Sequence, residues 1–311
     1  MRARPLFLYG ALVAHTLMSA GTYLFAKRAL QEIPALSLGL IRFAGASLIL
    51  SLLLLRLRPP GQRLPPRAAV RKLLLLALVA VPINQGFFLY GLQLSTAAHA
   101  ALLYTLTPLF VLLLAQALLG EFPGWRTAVG TGLALLGTLF VLLQRGLDLS
   151  HGPLIGDLLI VVAVVAWAVF TAEGRELVGE HGALPTIAWT LIGGTLLYLP
   201  LGLGSLLWPS NRAALLTASP EAWWGVLYLI VVTSVASYLI WYWALKHLAA
   251  ARVAVFSNLQ PLATAALAQV FLGERVTLAF LCGALVVISG VLLAQRGSSP
   301  AEVLRAATRS S

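Results

Sequence analysis

From Ala35 to Leu55 the chain runs with a single charged side chain, Arg42, and apolar runs of this kind, parted by short breakers, recur through nearly all of its 311 residues. About 20 apolar residues in a helix span the hydrocarbon core of a bilayer. Hydrophobic residues make up 60% of the chain and charged residues 10%, too little polar material to cover a water-soluble globule. The solvent for most of this surface is lipid. The runs predict an all-α membrane protein with ten transmembrane helices, near residues 5–26, 35–55, 73–94, 97–119, 125–144, 154–172, 184–205, 222–244, 250–272 and 276–295. Arg2 and Arg4 ahead of the first run look like the start of a signal peptide. The run continues to Ala26 and has a place in the repeat described below, so it reads as the first membrane helix.

The net charge of +11 would suggest a nucleic-acid partner in a soluble protein. Here the basic residues sit in short gaps between apolar runs, with no basic domain to hold DNA or RNA, and they read as an orientation signal. With the amino terminus inside, fifteen Lys and Arg fall on inner segments, among them Arg56, Arg63, Arg67, Lys72 and Lys246. Five fall on outer ones: Lys27, Arg28, Arg145, Arg212 and Arg275. That asymmetry predicts both termini in the cytoplasm. Cys282 is the single cysteine and the five His are scattered, so neither a disulfide framework nor a metal cluster is expected, and no cofactor is called for.

The chain also repeats itself. Pro108 and Pro261 lie 153 residues apart, and the same offset pairs Ala97 with Ala250, Ala101 with Ala254, Gln116 with Gln269, and Leu119-Gly120-Glu121 with Leu272-Gly273-Glu274. Apolar composition alone matches Leu and Ala readily, but not Pro, Gln, Gly and Glu in order. Five helices per half is an odd number, so the halves enter the membrane from opposite sides. Inverted repeats of this sort are a recurring architecture of secondary transporters. The expected units are residues 1–148 and 149–297, followed by a cytoplasmic tail over 298–311.

The stretch Phe87 to Gly146, with its proline and Leu-Gly-Glu signature, resembles the EamA domain of the drug/metabolite transporter superfamily, and Ser237 to Gly297, containing PLATAALAQVFLGE, resembles it again. Arg42-Phe43 in the second helix and Gly156-Asp157 through Trp167-Ala168 also look like that family. The resemblance implies a ten-helix inverted-repeat carrier of the plasma membrane, generally an exporter of amino acids, other small metabolites or drugs. It implies a central cavity lined mainly by helices three, four, eight and nine, with gating by helices one, two, six and seven. His99 stands where relatives carry a small or short polar residue.

On the fourth helix Ala97, Ala101, Thr105 and Pro108 share one face, and the repeat places Ala250, Ala254, Asn258 and Pro261 identically on the ninth. Close helix packing through small residues explains these faces, and so does a cavity wall at which Thr105, Asn258 and Gln260 hydrogen-bond a solute. Asn84 and Gln85 follow Pro82 near the middle of the third helix, with Ser237 and Tyr238 as repeat mates. An unpaired amide in hydrocarbon costs roughly 4–8 kcal/mol, so both face protein or a wet cavity. Tyr90, Tyr104, Trp167, Tyr238 and Trp241 are candidates for stacking on a solute, whereas Trp125, Trp208, Trp223 and Trp224 read as an interfacial belt. Arg42 is an intramembrane charge, expected to snorkel, to pair with Glu32 or Glu274, or to attract an anionic group of the solute. His15, Arg42, His99 and Trp167 are candidates for gating or proton-linked roles. The expected function is a secondary transporter of amino acids or other small amphipathic metabolites, acting as a monomer in contact with membrane lipid. The alternatives are a multidrug exporter of the same fold, a non-transporting scaffold and a membrane-embedded enzyme.

Overall fold

The computed structural model describes residues 5–58, 64–119, 125–143, 152–248, 253–254, 256, 260–273 and 277–296. Among these residues the protein is all helical, as the apolar periodicity requires. The chain begins with α1 (Pro5–Leu30) and α2 (Ala35–Leu57). The third apolar run is α3 (Arg67–Leu78), a π-helical segment (Val79–Ile83) and α4 (Asn84–Leu94). The fourth is α5 (Ala97–Tyr104) and α6 (Thr107–Leu119), followed by α7 (Trp125–Leu143). The second half holds α8 (Gly152–His181), α9 (Ala183–Ser205) and a short α10 (Pro209–Thr217). Next come α11 (Pro220–Tyr228), a second π-helical segment (Leu229–Ser237) and α12 (Tyr238–His247). The described chain closes with α13 (Gln260–Leu272) and α14 (Leu278–Arg296).

Among the described residues, six stretches are long and apolar enough to cross a bilayer: Ala35–Leu57, Arg67–Leu94, Ala97–Leu114, Gly152–His181, Ala183–Ser205 and Pro220–His247. The apolar helices Ala128–Gly137, Ala263–Leu272 and Leu278–Gly290 are shorter. The protein is therefore a multi-pass membrane protein, with large apolar side chains such as Leu48, Leu52, Leu196 and Phe271 on its outer surface. Trp125, Trp208 and Trp224 are exposed near helix ends.

Local chemistry explains where helices bend. Pro82 has no N–H and its ring pushes against the preceding turn, which the wide turns of Val79–Ile83 accommodate. The offset of 153 carries that segment onto residues 232–236, inside the second π-helical segment. That second segment has no proline and is rich in β-branched residues, which crowd a tight α-turn. Pro108 interrupts the fourth run in a different way. It cannot donate to the carbonyl of Tyr104, and the Thr107 hydroxyl donates to that carbonyl instead, at 2.7 Å.

Some boundaries differ from the sequence expectation. The sixth helix was expected to end near residue 172 but continues to His181, because Leu177 and Val178 bury on one face while Glu173 and Glu176 meet Lys72 on the other. Pro209–Thr217 forms a helix that the apolar pattern does not mark. Helix packing places the site: α2 lies against α9 and the second π-segment, α4 against α8, and α1 against α11, α12 and α13. At the periphery α7 packs against α14.

Candidate functional site

A cavity opens where these inner helices meet. Its walls are His15, Ser19, Thr22 and Tyr23 of α1, Arg42 of α2, Gln85 and Phe88 of α4, and Tyr104 of α5. Trp167 of α8, Thr233 and Tyr238 of the second bent helix and Gln260 of α13 complete it. Both halves of the chain therefore contribute. Its volume of about 50 Å³ holds a few waters but falls well short of the roughly 300 Å³ at which ligand pockets begin. In this conformation the walls are drawn together.

Hydrogen bonds join the walls across the two halves. Tyr23 donates to Gln260 Oε1 at 3.0 Å, linking α1 to α13. The hydroxyls of Thr22 and Thr233 are 2.9 Å apart. His15 Nδ1 lies 3.0 Å from the Ser237 carbonyl and 2.8 Å from its hydroxyl. The Tyr23–Gln260 and Thr22–Thr233 contacts are each a single neutral bond, of the kind worth about 0.5–1.5 kcal/mol net. A set of bonds this weak can be exchanged one by one as helices shift.

Asn84 is fully buried and stands just behind the wall. Its amide donates to Tyr104 Oη at 3.0 Å and to the Ala163 carbonyl at 2.6 Å, and its oxygen accepts from the Gln85 amide. Every polar atom of Asn84 is thus engaged, which removes the cost of an amide in an apolar interior. The same bonds fix Gln85 with its oxygen toward Arg42, whose Nη1 donates to it at 2.9 Å. Arg42 Nε donates to Ser234 Oγ at 2.8 Å, and the guanidinium also donates to the Tyr238 hydroxyl.

Arg42 therefore does not behave as two of its expected roles required. It is 1% exposed, so it does not snorkel into lipid. Glu32 is engaged elsewhere, accepting from the Ser219 backbone N–H at 2.6 Å and hydroxyl at 2.8 Å, with Arg28 at 3.4 Å. Glu274 lies outside the described residues. All the described partners of Arg42 are neutral.

Other expectations divide. Gln85, Tyr104, Tyr238 and Gln260 line the cavity together with His15, Arg42 and Trp167. Thr105 does not: its buried hydroxyl donates to the Leu102 carbonyl at 2.6 Å and finishes α5 where Pro108 breaks the helix. Trp241 is fully buried behind the wall, its ring 4.7 Å from His15 and 5.8 Å from Trp167. Tyr90 is 49% exposed and lies outside the cavity. Asn258 lies outside the described residues. His99 belongs to a separate cluster, where Nδ1 is 3.0 Å from Asp157 Oδ2 and Ser95 donates to the same carboxylate. There His99 meets an acidic partner.

Ser19, Thr22 and Tyr23 of α1 were the main omission, since helix one was expected to gate rather than line the cavity and His15 alone of its wall residues was a candidate. A signal for them exists in the sequence: His15, Ser19 and Thr22 recur at helical spacing and mark a polar stripe on an otherwise apolar helix.

Comparison with known proteins agrees with this architecture. The model of the EamA-like transporter family matches residues 6–143 and again residues 154–295. An "uncharacterized transporter" of Archaeoglobus fulgidus is 30% identical over 281 residues, covering 89% of this chain and 93% of that protein. A "probable terminal-alkyne amino-acid exporter" of Streptantibioticus cattleyicolor is 26% identical, covering 85% of this chain and 88% of that one. A solved crystal structure is similar in fold, with a TM-score of 0.61 at 17% identity over 94% of this chain and 96% of the other. Matched twice and over nearly its whole length, the chain belongs to the EamA-like transporter family.

Proposed function

We propose that the protein is a secondary carrier that exports amino acids or other small amphipathic metabolites across the plasma membrane. It works by alternating access between two inverted five-helix repeats, residues 1–148 and 149–297, with both termini and the tail over 298–311 in the cytoplasm. It crosses the bilayer ten times and functions as a monomer. The observation that carries this reading is the cavity itself: a polar, aromatic-walled space at the meeting of helices from both halves, bridged by weak bonds such as Tyr23 to Gln260 and Thr22 to Thr233. Two halves joined in this way can part on one side and close on the other. The π-helical segments at corresponding places and the double family match support the repeat. The relative named a "probable terminal-alkyne amino-acid exporter" supports the substrate class.

The test is flux in vesicles. Purified protein in liposomes is expected to move members of an amino-acid and metabolite panel faster than empty vesicles, with saturation. Folded protein that moves no member of the panel above the empty-vesicle rate overturns the reading.

A further inference from the structure

The cavity holds a cation and, among the described residues, no anion. Its charged wall residue is Arg42. The described carboxylates are Glu32, Asp157, Glu173, Glu176, Glu180 and Glu221, and none of them lines it. Asp157 faces His99 and Ser95, Glu173 and Glu176 face Lys72, and Glu32 faces Ser219 and Arg28. A guanidinium has five N–H donors. The described acceptors for Arg42 are Ser234, Gln85 and Tyr238, which leaves N–H groups over for a guest.

Placing an unmatched cation in a low-dielectric interior is costly, and neutral hydrogen bonds repay only part of that cost. With no described carboxylate in the wall to offset it, that field attracts an anion and repels a second cation. The group is also the one shaped for a carboxylate, since its planar fork makes two parallel charge-assisted bonds where an ammonium presents a point charge. It is held ready: Gln85 positions Arg42, Asn84 positions Gln85, and the Ala163 carbonyl and Tyr104 hydroxyl position Asn84. A donor fixed before the guest arrives loses little freedom on binding. The rings of Tyr23, Phe88, Tyr104 and Trp167 line the same cavity.

Resting on the carrier reading above, we propose that Arg42 is the anchor for a carboxylate of the solute, so the protein takes carboxylates with one apolar face and rejects organic cations. The carboxylate docks on the free edge of the guanidinium and the apolar part lies against the rings.

The test varies charge at constant shape. Leucine, leucic acid and isoamylamine form one series, and phenylalanine, phenyllactate and phenethylamine another. Binding is read as thermal stabilisation of the purified full-length protein, and transport as counterflow in proteoliposomes. In at least one series the acid or amino acid is expected to bind, with the amine at least about tenfold weaker. Arg42→Gln is expected to weaken the acid by at least about tenfold, and Arg42→Lys, which keeps the charge and loses the fork, to fall between. If Arg42→Gln does not fold, the wild-type series decides alone. Amines that bind as well as the acids overturn the proposal, as does an acid that Arg42→Gln holds as tightly as wild type. So does the failure of every acid and amino acid to bind. Binding without counterflow would keep the anchor and remove the carrier, whereas equal counterflow of acid and amine would keep the carrier and remove the anchor.

Discussion

Around the cavity, helices are bent or interrupted and meet through polar side chains; at the edge of the molecule, α7 and α14 meet backbone to backbone through small residues. In the first region Val79–Ile83 and Leu229–Ser237 are wide turns, and Asn84, Gln85, Arg42 and Ser234 form one connected network. In the second, a β-carbon added to Gly290 would fall 2.5 Å from the Ala134 nitrogen, and one added to Gly137 would fall 3.0 Å from the Val287 nitrogen. Hydrogen bonds between side chains can be traded for others at a cost of about 1 kcal/mol each. A seam with no room for a methyl group has one arrangement, because its lining atoms lose contact as soon as it opens. The comparison assigns rearrangement to the centre and rigidity to the rim.

The largest effects should come from glycines that hold helices in contact, and they should differ by region. At the α4–α8 crossing a β-carbon on Gly156 would lie 2.7 Å from the Gly91 carbonyl and 2.9 Å from the Ser95 nitrogen. Gly156→Val is expected to lower stability by about 1–3 kcal/mol or more and to cut flux by over tenfold, because α4 and α8 both carry cavity walls. Gly290→Val should cost similar stability while leaving flux per folded molecule within about twofold of wild type. Equal loss of flux in both variants would break the assignment.

Asn84→Ala comes next. It leaves the Ala163 carbonyl and the Tyr104 hydroxyl without their partner and frees Gln85, at a cost of about 1–3 kcal/mol, with flux down by about tenfold. Tyr23→Phe removes one neutral bond to Gln260 and should change apparent affinity by about two- to tenfold. Thr105→Ala, whose hydroxyl serves its own helix, should leave affinity unchanged in the same assay.

The smallest effect is expected outside the membrane. The Ser219 backbone N–H and hydroxyl, with Arg28 beside them, hold the Glu32 carboxyl below the usual carboxylate range. A depressed value in the folded state stabilises the fold above the unfolded value and loses that contribution as pH falls through the folded one. Glu32→Gln should therefore lower the melting temperature slightly at neutral pH, and the gap should close on acidification.

Much of the fold was legible because lipid imposes a simple rule: apolar runs of about 20 residues form helices, and Pro82 and Pro108 mark where those helices bend or break. The site was legible where strongly polar residues interrupt such a run, as Arg42, the Asn84-Gln85 pair and His15 do. What sequence could not assign is the partner of each. Ser234 lies 192 residues from Arg42 and Gln260 lies 237 from Tyr23, and one Ser or Gln among many carries no mark of which cation or hydroxyl it will meet. Thr105 misled for a local reason: its helical face is shared with the cavity wall, but a hydroxyl at a helix end is drawn to a carbonyl of its own last turn, here that of Leu102, which also accepts the Thr105 N–H. Trp241 misled through depth, since a ring on the right helix can lie behind the wall as readily as on it.

The central claim is that one site, between the halves, opens to each side of the membrane in turn. With Cys282, the chain's single cysteine, replaced by alanine, a cysteine introduced at Ser19 in the cavity wall can be probed with a membrane-impermeant maleimide. Right-side-out and inside-out vesicles present opposite faces to the reagent. The account predicts labelling of Ser19→Cys from both faces, slowed by a transported solute, and no labelling of a cysteine replacing the fully buried Val287 in the rim seam. Labelling of Ser19→Cys from one face only, in protein that sustains flux, would contradict it.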